Sequence, residues 1–171
     1  MEDFDDIIFE KAGRIKLLLS DCDGVLTDGT VYYSKNGEEL KRFSLRDGMG
    51  VERLAKLVDV ETGIITGEDS EIVRKRAEKL GIKEYYPGCK DKGSVFKDIL
   101  LKKKLKADQV AYIGDDFNDI GIIEQVGLSA CPSDAIATVK SLVYLVMENK
   151  GGSGAFREFA ELIIFFKQKS R

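Results

Sequence analysis

Residues 17–29 read LLLSDCDGVLTDG. The apolar run of Ile15, Leu17, Leu18 and Leu19 changes abruptly into Asp21, Cys22, Asp23 and Gly24. β-forming residues that end in two carboxylates and a glycine predict a buried strand over 15–20. Such a strand delivers acids to the end of a sheet, where open α/β sheets bind their ligands. Alternation along a strand puts Asp21 and Asp23 on one face, and a turn at Gly24 lets the second swing over the strand tip.

The pattern on either side of this stretch predicts a helix over 3–13, with Phe4, Ile7 and Ile8 on one side and Gly13 as its stop. Beyond Asp28-Gly29, Val31 to Tyr33, a Lys-Asn-Gly turn and residues 38–45 predict a β-hairpin inserted after the first strand, with Asn36-Gly37 as its turn signal. Regular alternation follows. Helices are predicted over 47–58 (apolar face Met49, Val51, Leu54, Ala55, Leu57, Val58), 69–80, 91–103, 118–125, 133–140 (capped by Ser133) and 155–167. Strands are predicted over 60–66, 84–86, 109–113, 128–131 and 142–146. Gly151-Gly152-Ser153-Gly154 reads as a flexible or ligand-approaching loop. Strands alternating with helices of this length imply a doubly wound, mostly parallel, Rossmann-like α/β sheet covered on both faces.

The 171 residues suit one domain over 1–171, with the hairpin insertion at 30–45 and the Gly-rich loop and final helix at 151–171. A net charge of −3 offers no electrostatic footprint for nucleic acid. No window approaches a membrane span, and the acidic residues 1–14 lack the apolar core of a signal peptide. The three cysteines are odd in number and widely spaced, which suits a reducing, cytoplasmic compartment. There is no histidine, so acid/base chemistry falls to carboxylates, Lys, Tyr or Cys.

Four chemical signals fall at successive strand ends: Asp21 and Asp23; Thr66-Gly67; Lys92; and Asp115-Asp116, with Asp119 one turn on. Each alone has a plain structural reading, as a turn, a surface lysine or a helix cap. Together they fit phosphoryl transfer. Converging carboxylates repel unless a cation holds them, and oxygen-only ligands favour Mg²⁺. A threonine hydroxyl, glycine N–H groups and an ammonium then receive phosphate oxygens, and a carboxylate acts as nucleophile.

DCDGVLTDG, ITG, the lysine of CKDKG and GDDFND resemble, in order, the four motifs of the haloacid dehalogenase superfamily of aspartate-nucleophile phosphatases. The resemblance implies Asp21 as nucleophile, Asp23 as general acid/base, and Thr66 and Lys92 on the phosphoryl oxygens. It implies Mg²⁺ held by Asp21, Asp115 and the Asp23 carbonyl, with Asp116 and Asp119 either behind these ligands or orienting Lys92. Neither the interval from Asp23 to Thr66 nor that from Lys92 to Asp115 has room for a cap domain. NGEE in the hairpin, SLRDGMG and GGSGAFRE are similar to one capless group, the 3-deoxy-D-manno-octulosonate (KDO) 8-phosphate phosphatases of lipopolysaccharide synthesis. That likeness implies a homotetramer built through the hairpins, a C-terminal tail that helps cover a site, and Arg46 and Arg157 on the anionic substrate. Taken from the residues alone, Arg46 could instead pair with Glu38 or Glu39 across the hairpin. Glu68 stands where many relatives carry Arg, and Cys22 where Val is usual.

Three alternatives follow. A sister phosphatase for a nine-carbon, sialic-acid-like keto acid 9-phosphate, or one attached to a cytidylyltransferase, lacks the Arg-Asp-Gly of SLRDG. A non-enzymatic phospho-aspartate receiver places its acidic pair before the phosphorylated Asp, the reverse of the order here. A dead scaffold would not keep the full set.

Overall fold

The computed structural model describes residues 4–170, and side chains from Asp6 onward. Asp3 and the side chain of Phe4, both read into the first helix, lie outside the described residues. The elements in order are α1 (Phe4–Arg14), β1 (Leu17–Ser20), β2 (Tyr32–Ser34), β3 (Gly37–Leu40), α2 (Leu45–Val58), β4 (Glu61–Ile65), α3 (Glu71–Lys79), β5 (Glu84–Tyr86), α4 (Lys92–Lys103), β6 (Val110–Ile113), α5 (Ile120–Ile123), β7 (Leu128–Cys131), α6 (Ala137–Leu142), β8 (Leu145–Val146) and α7 (Ala155–Lys169).

Six strands form one parallel sheet in the order β5-β4-β1-β6-β7-β8, and β2-β3 stand apart as an antiparallel pair. β1 is central because its residues are apolar on both sides. Leu18 joins the core under α1, α2, α3 and α7, while Leu17 and Leu19 join the core under α4, α5 and α6. Strand order reverses at β1, so the crevice beyond its carboxyl end is the ligand position of this topology. The hairpin and α2 fill the interval between Asp23 and β4, and α4 with a 3₁₀ turn at Ala107–Gln109 fills that from Lys92 to β6, so neither interval holds a cap domain.

Several boundaries move for local reasons. α2 starts two residues early because the Ser44 hydroxyl accepts the Asp47 N–H at 3.3 Å. The second hairpin limb ends at Leu40, with Phe43 making an isolated bridge to Thr27. Met49 and Leu57, read into the apolar face of α2, are exposed. The helix expected over 118–125 is a 3₁₀ turn, Phe117–Asp119, followed by the single turn of α5. Ser133 caps no helix: Ile136 donates its N–H to the Asp115 carbonyl, which holds 133–136 as a turn, and α6 begins at Ala137. The last strand shortens to Leu145–Val146.

The Gly-rich loop departs furthest from expectation. Gly151, Gly152 and Gly154 are buried rather than hinge-like. Gly152 N–H donates to the Val25 carbonyl at 2.8 Å, and a Cβ on Gly151 would stand 1.8 Å from the Gly24 carbonyl oxygen. The buried Asp47 carboxylate accepts from Gly154 and Arg157 N–H at 3.3 and 2.9 Å, so it caps the start of α7. The loop is therefore a packed brace behind the 21–29 stretch.

Candidate active site

β1 delivers Asp21 to the crevice with its side chain only 7% exposed. Its backbone N–H donates to Ile113 in β6 at 3.0 Å, which fixes the strand tip. Lys92, the first residue of α4, has a fully buried ammonium 2.5 Å from Asp21 Oδ1 and 2.7 Å from Asp119 Oδ1. Tyr112 donates its hydroxyl to the same Asp119 oxygen at 2.5 Å. The other oxygen, Asp119 Oδ2, accepts the N–H groups of Asp115 and Asp116 at 2.8 and 3.1 Å. Asp119 is thus saturated: one oxygen holds Lys92 and the other shapes the loop after β6. Gly114 makes this possible, since a Cβ there would lie 2.5 Å from the Asp119 Cγ.

Asp115 meets Asp21 from the neighbouring strand end. Gly24 adopts φ +95°, and a Cβ there would lie 2.0 Å from Asp115 Oδ2. Burial, then the charges of Asp21 and Asp119, push the Asp115 carboxyl up to about 8. Burial and Asp119, opposed by Lys92, push Asp21 up to about 6. Burial would depress the Lys92 ammonium, but Asp21 and Asp119 more than offset it and hold it above its usual range.

Asp23 lies beside this cluster with a partly exposed side chain. Its Oδ1 accepts from Lys41 Nζ at 2.6 Å and from the Thr27 hydroxyl at 3.3 Å. β4 brings in Thr66, which is buried; its N–H donates to Tyr86 and its carbonyl accepts from Cys89. An open cavity of about 400 Å³ is lined by Asp21, Asp23, Thr66, Gly67, Glu68, Asp115, Asp116, Phe117 and Asn118. Exposed Asp116 caps its own turn, its Oδ1 accepting the Phe117 N–H at 2.7 Å.

The donor set suits a hard divalent ion. Asp21, Asp115 and Asp119 each place a carboxylate oxygen within 4.8 Å of the others. Asp115 Oδ1 is buried and has no hydrogen-bond partner, an orphan that a cation would satisfy. With Asp119 saturated, Asp21 and Asp115 carry the free oxygens.

The family model for haloacid dehalogenase-like hydrolases matches residues 51–158. The chain belongs to that family. Within it, the chain is 41% identical over 165 residues to the 3-deoxy-D-manno-octulosonate 8-phosphate phosphatase KdsC of Yersinia pestis, covering 96% of this chain and 87% of that protein. It is likewise 41% identical to KdsC of Escherichia coli K12, covering 95% and 86%. The cobalt-bound octulosonate 8-phosphate phosphatase of Haemophilus influenzae superposes with a TM-score of 0.89 at 39% identity, covering 94% and 93%. The Moraxella catarrhalis enzyme, solved with magnesium, phosphate and KDO, superposes with a TM-score of 0.90 at 33% identity, covering 95% and 92%.

The haloacid dehalogenase-like fold brings together Asp21, Asp23, Thr66, Gly67, Asp115 and Asp116 around the cavity, with Lys92 and Asp119 beneath its floor. It does not bring in Arg46 or Arg157. Arg46 is exposed at the start of α2 and makes no ion pair among the described residues, with Glu38 and Glu39 or otherwise. Arg157 is tied to Glu161 at 2.7 Å and to the Arg46 carbonyl at 3.4 Å. Lys41 and Tyr112 were not legible in advance. Lys41 sits in a charged Glu-Glu-Leu-Lys-Arg run, and Tyr112 is an ordinary strand aromatic until its hydroxyl meets Asp119. Cys22 is free and buried, its thiol pushed well up by burial and by Asp23, so it packs without reacting.

Proposed function

We propose that this chain is a Mg²⁺-dependent phosphatase that hydrolyses KDO 8-phosphate to KDO and phosphate through an aspartyl-phosphate on Asp21. The reading is carried by the buried Asp21 carboxylate, oriented by Lys92 and opening into the pocket that Asp23 and Thr66 line, in a chain 41% identical over most of its length to phosphatases of that name. An Asp21 oxygen attacks phosphorus and the ester P–O bond breaks. The leaving alkoxide takes a proton from Asp23. The Asp23 carboxylate then removes a proton from water, whose oxygen attacks phosphorus and releases phosphate and Asp21. The Thr66 hydroxyl and the Gly67 N–H receive phosphoryl oxygens, and Lys92 holds the nucleophile. Mg²⁺, when bound by Asp21, Asp115 and the Asp23 carbonyl, supplies charge neutralisation between the carboxylates and the phosphoryl group.

We take residues 1–171 as one domain that acts as a homotetramer. Tyr32 and Leu40, paired across the hairpin, and Tyr33 are each more than 60% exposed, apolar surface suited to a second copy. Exposed Arg46 is available to a neighbouring protomer's substrate, whereas Arg157, engaged with Glu161, acts as a link between α2 and α7. No described helix is long and apolar enough to cross a membrane. Three free, buried cysteines support a cytoplasmic setting, in lipopolysaccharide synthesis.

Glu68 on the cavity wall can accept substrate hydroxyl donors, and a nine-carbon keto acid 9-phosphate, one carbon longer than KDO 8-phosphate, is the second reading. Phosphate release with Mg²⁺ from a panel of sugar-acid phosphates separates them. Preference for KDO 8-phosphate upholds the first reading, preference for the nine-carbon ester the second, and no release from either removes both.

A further inference from the structure

We propose that Lys41 is the positioning residue of Asp23 and ties proton transfer at the site to the hairpin. The hairpin is otherwise exposed, yet the Lys41 side chain, just past β3, is only 3% exposed. A lysine that abandons solvent needs compensating partners, and Lys41 has two. Its Nζ is 2.6 Å from Asp23 Oδ1 and 3.1 Å from Glu38 Oε1. Glu38 in turn accepts the Ser70 hydroxyl. Ser70 is the N-cap of α3, the helix that follows the Thr66-Gly67 phosphate loop. A continuous polar chain therefore runs from Asp23 through Lys41 and Glu38 to Ser70, linking two walls of the cavity across the hairpin base.

The geometry also divides the two Asp23 oxygens. Oδ1 accepts from both Lys41 and Thr27. Oδ2 has no partner among the described residues, and Asp23 lines the cavity. Pinning Oδ1 leaves Oδ2 to exchange protons with the leaving alkoxide and then with water. Without Lys41, only the 3.3 Å contact from Thr27 restrains the carboxyl. Loss of orientation by about 1 Å costs on the order of 100-fold in rate. Lys41 is the link by which the hairpin, the element proposed for assembly, sets the acid/base geometry.

This inference rests on the assignment of Asp23 as acid/base, so the test carries that assignment as a control. Lys41→Met is compared with wild type on a sugar-acid phosphate and on 4-nitrophenyl phosphate. A sugar alkoxide needs a proton to leave; 4-nitrophenolate does not, but hydrolysis of the phosphorylated Asp21 still needs the base. The expected result on the sugar phosphate is a fall in kcat of about 10–100-fold with KM little changed. On 4-nitrophenyl phosphate it is a rapid burst of about one nitrophenolate per site, then slow turnover.

Unchanged kcat, a loss confined to KM, or loss of the burst together with turnover overturns the role of Lys41. Asp23→Asn should give the same burst. If Asp23→Asn turns over sugar phosphate normally, the acid/base reading fails. If Asp23→Asn stalls and Lys41→Met does not, only the present inference fails. Should Lys41→Met not fold, Glu38→Gln removes the second anchor of Lys41. It should lower kcat several-fold with the burst kept, and wild-type kcat there overturns the inference.

Discussion

Replacing Asp115 by Asn should stabilise the metal-free protein and abolish its response to Mg²⁺. The Asp115 carboxyl moves from its usual 3.8 to about 8 because burial and the facing Asp21 and Asp119 charges disfavour ionisation. A carboxyl that holds its proton more tightly when folded contributes stability below about pH 4 and withdraws it as pH rises toward 8. At pH 7.5 nearly the whole interval is felt. At about 1.4 kcal/mol per unit it comes to about 5 kcal/mol in a dry pocket, and on the order of 2 kcal/mol once water screens the pair. A domain of this size gains about 2–4 °C per kcal/mol, so the variant should melt roughly 4–8 °C above wild type in EDTA at pH 7.5. At pH 5 the gain should fall by more than half. Mg²⁺ at 100 times its dissociation constant should raise the wild-type melting temperature by a comparable amount, about 2.7 kcal/mol, and leave the variant unmoved. Calorimetry at the two pH values, with EDTA and with Mg²⁺, reads all four quantities. A variant that melts below wild type in EDTA at pH 7.5, or that gains as much from Mg²⁺, refutes the reasoning.

Asp21→Asn should lose Mg²⁺-dependent phosphate release by at least about 10³-fold while circular dichroism stays native; residual turnover near wild type would remove Asp21 as nucleophile. Gly151→Ala sets a methyl 1.8 Å from the Gly24 carbonyl oxygen, so it should cost about 3 kcal/mol or more and lower the melting temperature by about 6–12 °C; a neutral result would mean the loop is not packed as described. Light scattering should give four times the 19.0 kDa chain mass, and Tyr33→Glu, which charges the 71% exposed hairpin tyrosine, should reduce that mass; a stable wild-type monomer ends the assembly proposal.

The fold was legible where one strong local signal matched its tertiary role. Leu17 to Leu19 form a central strand because both sheet faces need apolar residues there, and the same run ends in the acids. What was not legible depends on distant partners. The 118–125 segment has a helical pattern, but Asp119 turns back to the Asp115 and Asp116 N–H groups and breaks it into two short turns. GGSG has the composition of a hinge, yet Gly151 and Gly152 are small because the 21–29 stretch presses against them. Arg157 has the chemistry of an anion ligand, while the fold engages it with Glu161 one turn along α7. Lys41 and Tyr112 gain a role only through neighbours 18 and 7 residues away.

The charges explain why the site is built in two halves. Asp21, Asp23, Asp115 and Asp119 converge at the crevice, and among the described residues two ammonium groups, Lys92 and Lys41, touch them. Lys92 is drawn to Asp119 and to Asp21, and Lys41 to Asp23. The Asp115 carboxyl, which burial and its acidic neighbours keep protonated toward pH 8, and part of the Asp21 charge have no ammonium partner, on the side where Asp115 Oδ1 is unpartnered. Once Asp115 gives up its proton to an incoming ion, the deficit is between one and two negative charges in a desolvated place, which a divalent cation cancels and a buried monovalent side chain would not. The protein thus sets its own ammonium groups against the carboxylates that orient lysine or move protons, and leaves Asp115 and part of the Asp21 charge for an ion and a phosphoryl group. Filling the gap with a third lysine would stabilise the fold and remove the attraction that draws Mg²⁺, and with it phosphate, to Asp21.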